Sequence, residues 1–458
     1  MTVGRRDGDP QRRLPGRGEF IVRGAVVLSM DPVLGDFVSA DIHVRDGAIL
    51  AVGPELSASG AQIIDGRGTI ALPGFVDTHW HLWNSTFRGL VGFYTPQLTY
   101  FPLKARLGPL YTPEDMYRAV QLGLAGALSA GITTVHNWAH NIIGPEYADA
   151  NILAQLETGL RGRFSYGWAE AQPEEQVMDL NDVERVQREW FGDKAGLMTF
   201  GIAVRGAEGA NPGKGREAYL REFAAARRLR IPITTHVAQR REPAAKSRAI
   251  MALARDKLLG PDVQFVHAIH ATAEERLAMA ESGTHLSLSP LSALQVGMGF
   301  PQTTEMLAAG VLVSLSIDTV AIAGADMFAT MKLILDVEHA RFENNDLSAR
   351  RVLQMATIDG ARDLGIDDRV GSLSPGKRAD LILVRIDQIN MSTLPAADWP
   401  RLLIQYAHPG NVDMVMVDGR ILKQNGRLTA LDEKRIMHDA TLSAAELVKR
   451  AGLTPRPA

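Results

Sequence analysis

Pro73-Gly74-Phe75-Val76-Asp77-Thr78-His79-Trp80-His81 sets two histidines one residue apart at the end of a short apolar run. On a β-strand, residues i and i+2 point to the same side, so His79 and His81 present both imidazoles to one point. Imidazole is the commonest side-chain ligand for a divalent transition metal. Two partly exposed histidines at a strand end are the plain alternative. The apolar lead-in and the intervening Trp80 favour a buried strand that ends at a cavity.

The pattern of this run recurs downstream. From Pro73 to about Gly365, short apolar runs alternate with amphipathic stretches. Candidate strands are 74–79, 132–138, 163–168, 197–204, 231–236, 263–267, 285–288 and 311–317. Thr112-Pro113-Glu114-Asp115 opens a helix with an N-cap, a proline at the first position and acids in the first turn, and Gly131 follows its end. Thr272-Ala273-Glu274-Glu275 opens another with a capping box. Eight strand–helix alternations predict an α/β fold, a (β/α)8 TIM-type barrel. Both flanks are different in style. Ile42-His43-Val44-Arg45 meets Ala48-Ile49-Leu50 across Asp46-Gly47, and Val412 to Val417 folds back through Asp418-Gly419, two hairpin signals. They predict a small β-sandwich domain formed from both ends of the chain. The expected division is a disordered tail at 1–18, sandwich at 19–72, barrel at 73–365, sandwich again at 366–430, and a C-terminal helix and tail at 431–458.

The 458 residues and 49.8 kDa accommodate one large and one small domain. Formal net charge is -3, which favours neither nucleic acid nor an acidic membrane surface. There is no cysteine, so disulfides and thiolate metal sites are excluded and any metal is held by His and carboxylate. No apolar run approaches the roughly 20 residues of a membrane span. Residues 1–18, rich in Arg, Gly, Pro and Asp, lack the apolar segment of a secretory signal, so the expected compartment is the cytoplasm.

In such a barrel, chemistry sits at the C-terminal ends of the strands. Strand one ends in His79 and His81, strand five in His236, strand six in His267 and strand eight in Asp318. Singly, each is readily a satisfied terminal residue. Together they make a His/His/His/Asp metal site, His79, His81, His236 and Asp318, with His267 beside it. Strand four, Leu197 to Arg205, ends in neither Lys nor Glu, so a bridged two-metal site is not expected. One divalent ion is, with Zn²⁺ the better fit and Fe²⁺ also suited. Such an ion lowers the pKa of a bound water toward ~7 and makes hydroxide at neutral pH. Asp318 can accept the water's proton, and His267 can hydrogen-bond the water or a developing oxyanion. Trp80, Trp83, Phe87, Phe93, Tyr94, Tyr100 and Phe101 follow strand one, and Trp138 and Trp168 end strands two and three. Such a rim suits a flat heterocycle. Trp83, Trp138, His140, Trp168 and His270 are the candidate substrate contacts. Arg205 can bind a carboxylate or phosphate, or form a salt bridge at the rim.

PGFVDTHWH at 73–81, GITTV at 131–135, THVA at 235–238, VHAIH at 266–270, SIDT at 316–319, ADMF at 325–328, ATIDGARDLG at 356–365 and GSLSPGKRADLILV at 371–384 span most of the chain. With them the sequence resembles the amidohydrolase superfamily, in the branch of cytosine, guanine, S-adenosylhomocysteine and 8-oxoguanine deaminases and s-triazine chlorohydrolases. The resemblance implies a mononuclear site of His79, His81, His236 and Asp318, with His267 as the strand-six histidine. One position departs. The deaminases carry a glutamate three residues after the strand-five histidine, and this chain has Gln239. Glutamine can hydrogen-bond a substrate but cannot shuttle a proton. Either Asp318 with His267 suffices, or another carboxylate such as Glu170 substitutes, or the leaving group differs.

The expected function is a metal-dependent hydrolase acting on a C–N bond of a nitrogen heterocycle, deaminase-like or opening a cyclic amidine or amide, with hydroxide on the metal as nucleophile. The alternatives are displacement of halide or another leaving group, a lyase or isomerase on the same metal, and a catalytically idle assembly protein. The expected partners are a small heterocyclic substrate and further copies of the chain in a homo-oligomer, a dimer or larger, with no nucleic acid and no membrane.

Overall fold

The structure, a computed structural model, describes residues 14–92, 95–192, 196–206, 215–392 and 398–453. Most of the expected tail, the last residues of the chain and the rim aromatics Phe93 and Tyr94 lie outside the described residues.

Eight parallel strands form the central sheet: Phe75–Trp80, Ile132–Ala139, Arg161–Gly167, Met198–Ala203, Ile233–Val237, Val263–His267, His285–Leu288 and Val313–Leu315. Each pairs with its chain neighbour, and a bridge between Trp80 and Asp318 closes the last strand onto the first. Helices connect consecutive strands, as the expected barrel requires. The helix Pro113–Ser129 starts at a capping box between Thr112 and Asp115, and Ala273–Ser282 at one between Thr272 and Glu275.

Both chain ends join one continuous nine-stranded sheet. Its order is Arg427–Leu428, Arg420–Gln424, Val412–Val417, Leu381–Arg385, Thr69–Pro73, Glu19–Val27, Phe37–Arg45 and Ala48–Gly53, with Gln62–Asp65 also paired to Glu19–Val27. Pairing is antiparallel except where Glu19–Val27 runs parallel to Gln62–Asp65 and Thr69–Pro73. Positive φ at both Asp46 and Gly47, and at both Asp418 and Gly419, gives the two hairpins the turn geometry their sequence signals.

The run Leu381-Ile382-Leu383-Val384 shows why this sheet is apolar on both sides. Leu381 and Leu383 join the sheet's own core, whereas Ile382 and Val384 pack with the barrel. Gly360, in the helix Ile358–Asp363, lies against the first barrel strand; a β-carbon there would come 2.9 Å from Val76. Beneath the junction Arg161 is fully buried and donates to both carboxylate oxygens of Asp380 at 2.7 and 3.0 Å. Asp418 and Arg378 extend this cluster at 2.6 Å.

Candidate active site

The barrel's C-terminal mouth is held shut between strands one and eight. Asp318 donates its backbone N–H to His79 at 2.8 Å, and His81 donates to the Asp318 carbonyl at 2.6 Å. Below them the buried Asp77 accepts from the backbone of His79 at 3.1 Å and of Ile317 at 2.8 Å. These bonds bring two ligand-bearing strand ends, 240 residues apart in sequence, to one place. The backbone is strained there: Ala238, His267, Ala268 and Asp318 all have positive φ. Left-handed conformations of such residues cost roughly 1–3 kcal/mol each and persist where the surroundings over-determine them.

His79, His81, His236, His267 and Asp318, the five residues singled out at strand ends, converge. Asp318 Oδ1 is 3.3 Å from His79 Nε2 and 3.4 Å from His81 Nε2, and His79 Nε2 is 3.2 Å from His236 Nε2. Two donors about 2.0–2.2 Å from one tetrahedral ion stand about 3.3–3.6 Å apart, close to these three separations, and the donors fall into two groups that meet at His79, one with His81 and Asp318 and one with His236 and His267. His267 shares a cluster with His79 and His236. Behind the donors, His81 Nδ1 lies 3.3 Å from the Trp138 carbonyl, which fixes the tautomer that turns Nε2 inward.

Burial, with the neighbouring imidazoles, holds His81 and His236 well below the usual histidine range. Burial pushes His267 down to about 4 against the opposing pull of Asp318. These imidazoles are therefore neutral at pH 7, the form in which nitrogen carries a lone pair for a metal. Burial alone would raise Asp318, but His79, His267 and Ser292 together outweigh it and the carboxyl sits below its ordinary value. A set of imidazoles with one carboxylate fits a divalent ion such as zinc.

A cavity of about 520 Å³ opens above this floor. Of the expected substrate contacts, Trp138, His140, Trp168 and Gln239 line it. Trp83 and His270 do not. Trp83 is fully buried and its indole N–H donates to His140 Nδ1 at 3.2 Å, so it orients His140. His270 Nε2 is 2.7 Å from the Met298 carbonyl and braces the loop beneath. Both lie on segments that leave the strand end, where periodicity no longer tells which way a side chain points.

Glu170 and Arg205 also line the cavity. Glu170 Oε1 is 3.0 Å from Lys104 Nζ. Its Oε2 is 3.2 Å from His140 Nε2, a close electrostatic contact whose angle falls short of a hydrogen bond. Burial would raise the Glu170 pKa, but His140 and Lys104 push it down to about 2. It is thus a fixed carboxylate that accepts and does not donate. Lys104, Gln172, Glu174, Arg240 and Met298 line the cavity without having been singled out in the sequence. Arg240 had a signal, since it directly follows Gln239 beyond strand five; Lys104 had none, because the helix Tyr100–Leu107 bears no motif.

The chain is similar to known proteins over most of its length. The amidohydrolase family profile matches residues 70–422. A 5'-deoxyadenosine deaminase of Methanosarcina mazei is 30% identical over 449 residues, covering 94% of this chain and 99% of the relative. A 5-methylthioadenosine/S-adenosylhomocysteine deaminase of Desulfitobacterium hafniense is 30% identical over 432 residues, 91% of this chain and 96% of the relative. Among solved structures, a zinc-bound adenosine deaminase from Xanthomonas campestris superposes with a TM-score of 0.83 at 21% identity, covering 95% of this chain and all of the other. The zinc complex of an atrazine chlorohydrolase from Arthrobacter aurescens does so with 0.81 at 24% identity, covering 93% of this chain and all of the other. At those identities the two structures speak for the fold.

Proposed function

The chain belongs to the amidohydrolase family, and from that premise we propose a mononuclear metal-dependent deaminase that replaces an exocyclic amine of a nitrogen heterocycle by oxygen. The substrate class is the adenine nucleosides modified at the 5' end, after the named activities of the relatives. The observation that carries this reading is that His81, Asp318 and His236 gather around His79, with neighbouring donor atoms 3.2–3.4 Å apart, beneath an aromatic-walled cavity.

Those four residues would hold one ion, zinc for preference. When bound, the metal supplies Lewis acidity that brings the pKa of a coordinated water to about 7. Asp318, a carboxylate at neutral pH, takes the proton of the attacking water and passes it toward the departing amine. The neutral His267 hydrogen-bonds the oxygen that grows at the reacting carbon. Trp138, 4.2 Å from the His236 ring centre, walls the floor against bulk water. Gln239 can hydrogen-bond a ring nitrogen but holds no proton to give it. The balance is water plus ring amine to ring carbonyl plus ammonia.

Gln239 also favours a second reading. A leaving group that departs as an anion, such as halide, needs no proton delivered to the ring. The test is to incubate zinc-loaded protein with 5'-deoxyadenosine, methylthioadenosine, S-adenosylhomocysteine and halogenated triazines and to measure ammonia and halide. Ammonia from a nucleoside supports deamination; halide alone supports displacement; neither product from any compound rejects both. Cytoplasmic location and a homo-oligomer complete the proposal. No helix among the described residues is long and apolar enough to cross a membrane, and light scattering reads the assembly directly.

A further inference from the structure

A ladder of rings climbs from the floor of the cavity to its rim. The Trp138 ring stands 4.2 Å from His236, Trp168 stands 5.1 Å from Trp138, and the Arg205 guanidinium lies 4.9 Å over Trp168. Arg205 donates to the backbone carbonyls of Pro173 and Gln172, both at 2.5 Å, which fixes the plane of its head. Glu222, Glu174 and Glu170 act on it from farther off, but among the described residues it has no ion pair. Arg240, exposed beyond strand five, holds its guanidinium 5.1 Å over Phe101 and likewise lacks an ion pair among the described residues. The third cation of the cavity, Lys104, is already engaged by Glu170 at 3.0 Å.

Two guanidinium groups therefore face one cavity, each within about 5 Å of an aromatic ring centre and neither in an ion pair with a carboxylate among the described residues. A stacked guanidinium is pre-organised and offers paired N–H groups matched to a planar or tetrahedral oxyanion. We infer that the substrate is a heterocycle with an anionic arm, a carboxylate or phosphate, which Arg205 and Arg240 hold at the rim while the ring lies over the metal ligands. This rests on the proposed deamination at the same site. Neither arginine belongs to the group of candidate metal ligands, so on this reading they set specificity and take no part in bond breaking.

The experiment compares adenine nucleosides that differ only at the 5' end, a neutral methyl, a carboxylate and a phosphate, in zinc-loaded wild type, Arg205→Gln, Arg240→Gln, Arg205→Lys and the double glutamine variant. In wild type, kcat/KM should favour one charged member over the neutral one by about tenfold or more, chiefly through KM, and the preference should shrink as salt is raised. The double variant should lose that ratio, Arg205→Lys should keep part of it, and whichever anion shows the larger effect identifies the arm. A ratio near one in wild type, or one unchanged in the double variant, overturns the inference and leaves deamination standing. If no nucleoside yields ammonia, deamination falls and the arm is judged by binding alone. Phenyl phosphate and benzoate would then be titrated by tryptophan fluorescence. Binding by wild type that the double variant loses sustains the anion site, and absent or equal binding overturns it.

Discussion

Gln239 marks the point where this chain parts from the deaminases it resembles, and its replacement separates binding from proton transfer. If the reaction needs no carboxylate there, Gln239→Ala should raise KM several-fold with little change in kcat, because the lost hydrogen bond is made equally before and at the transition state. Gln239→Glu should give no large gain on the native substrate and new, weak deaminase activity on simple aminopyrimidines. Steady-state kinetics on both substrates check this, and efficient deamination of such rings by wild type would contradict it. Asp318→Asn should keep much of the metal and lose about 10²–10⁴ in kcat, since the amide offers an oxygen of similar shape but cannot take a proton. Retention of a tenth of the rate would remove Asp318 as the base. His79→Ala and His236→Ala should each yield protein with little bound metal by elemental analysis, as each deletes one of three imidazoles. His79, His236 and Asp318 stood out in the sequence because each closes an apolar run, whereas Gln239 stood out only through its place three residues after His236. The placing of Trp83 and His270 was not legible, since they lie past the strands on loops whose direction is set by packing: against His140 for one and against Met298 for the other.

Among the elements, the strands were readable in number and order but not at their margins. The eighth, expected at 311–317, is only Val313–Leu315, and beyond it the chain turns at Asp318, with positive φ, to meet strand one. Hairpins and helix starts were plain, as their turn and cap residues act locally. The contribution of the helices to the cavity was hidden, because Lys104 reaches it from a helix with nothing in its text to distinguish a pocket-facing lysine from a solvated one. The helix Arg216–Leu229 carries a testable peculiarity. Glu222 is buried, accepts from the Met178 N–H at 3.0 Å, and is raised by burial to about 7. An acid whose folded pKa exceeds its unfolded value binds more protons when folded, so stability falls as pH rises from about 4.5 to about 7. Glu222→Gln should accordingly leave stability little changed at pH 4 and raise it at pH 8 by ~3 kcal/mol. Urea denaturation of both proteins at the two pH values measures it; equal differences at both would show that Glu222 is charged in the folded protein.

For the molecule as a whole, the two halves of the end sheet meet the barrel at the buried pair Arg161–Asp380, 2.7 Å apart, with 1% of the aspartate side chain exposed. Asp380→Ala strands a buried guanidinium and should cost about 3–5 kcal/mol, read as a lower denaturation midpoint with the metal content per folded chain unchanged. A loss below about 1 kcal/mol would mean that Asp418 alone neutralises Arg161. Their pairing was not marked by the sequence, because the residues are 219 positions apart and only the closed fold brings them together. The same closure orders events in time. Thr69–Pro73 pairs on one side with Glu19–Val27 and on the other with Leu381–Arg385. At about 5–20 residues per second on the ribosome, the roughly 300 residues between these strands take on the order of 15–60 s to synthesise. Throughout that interval the nascent N-terminal strands have an open edge and an uncovered apolar face, so they would be clients for a chaperone until the C-terminal strand emerges.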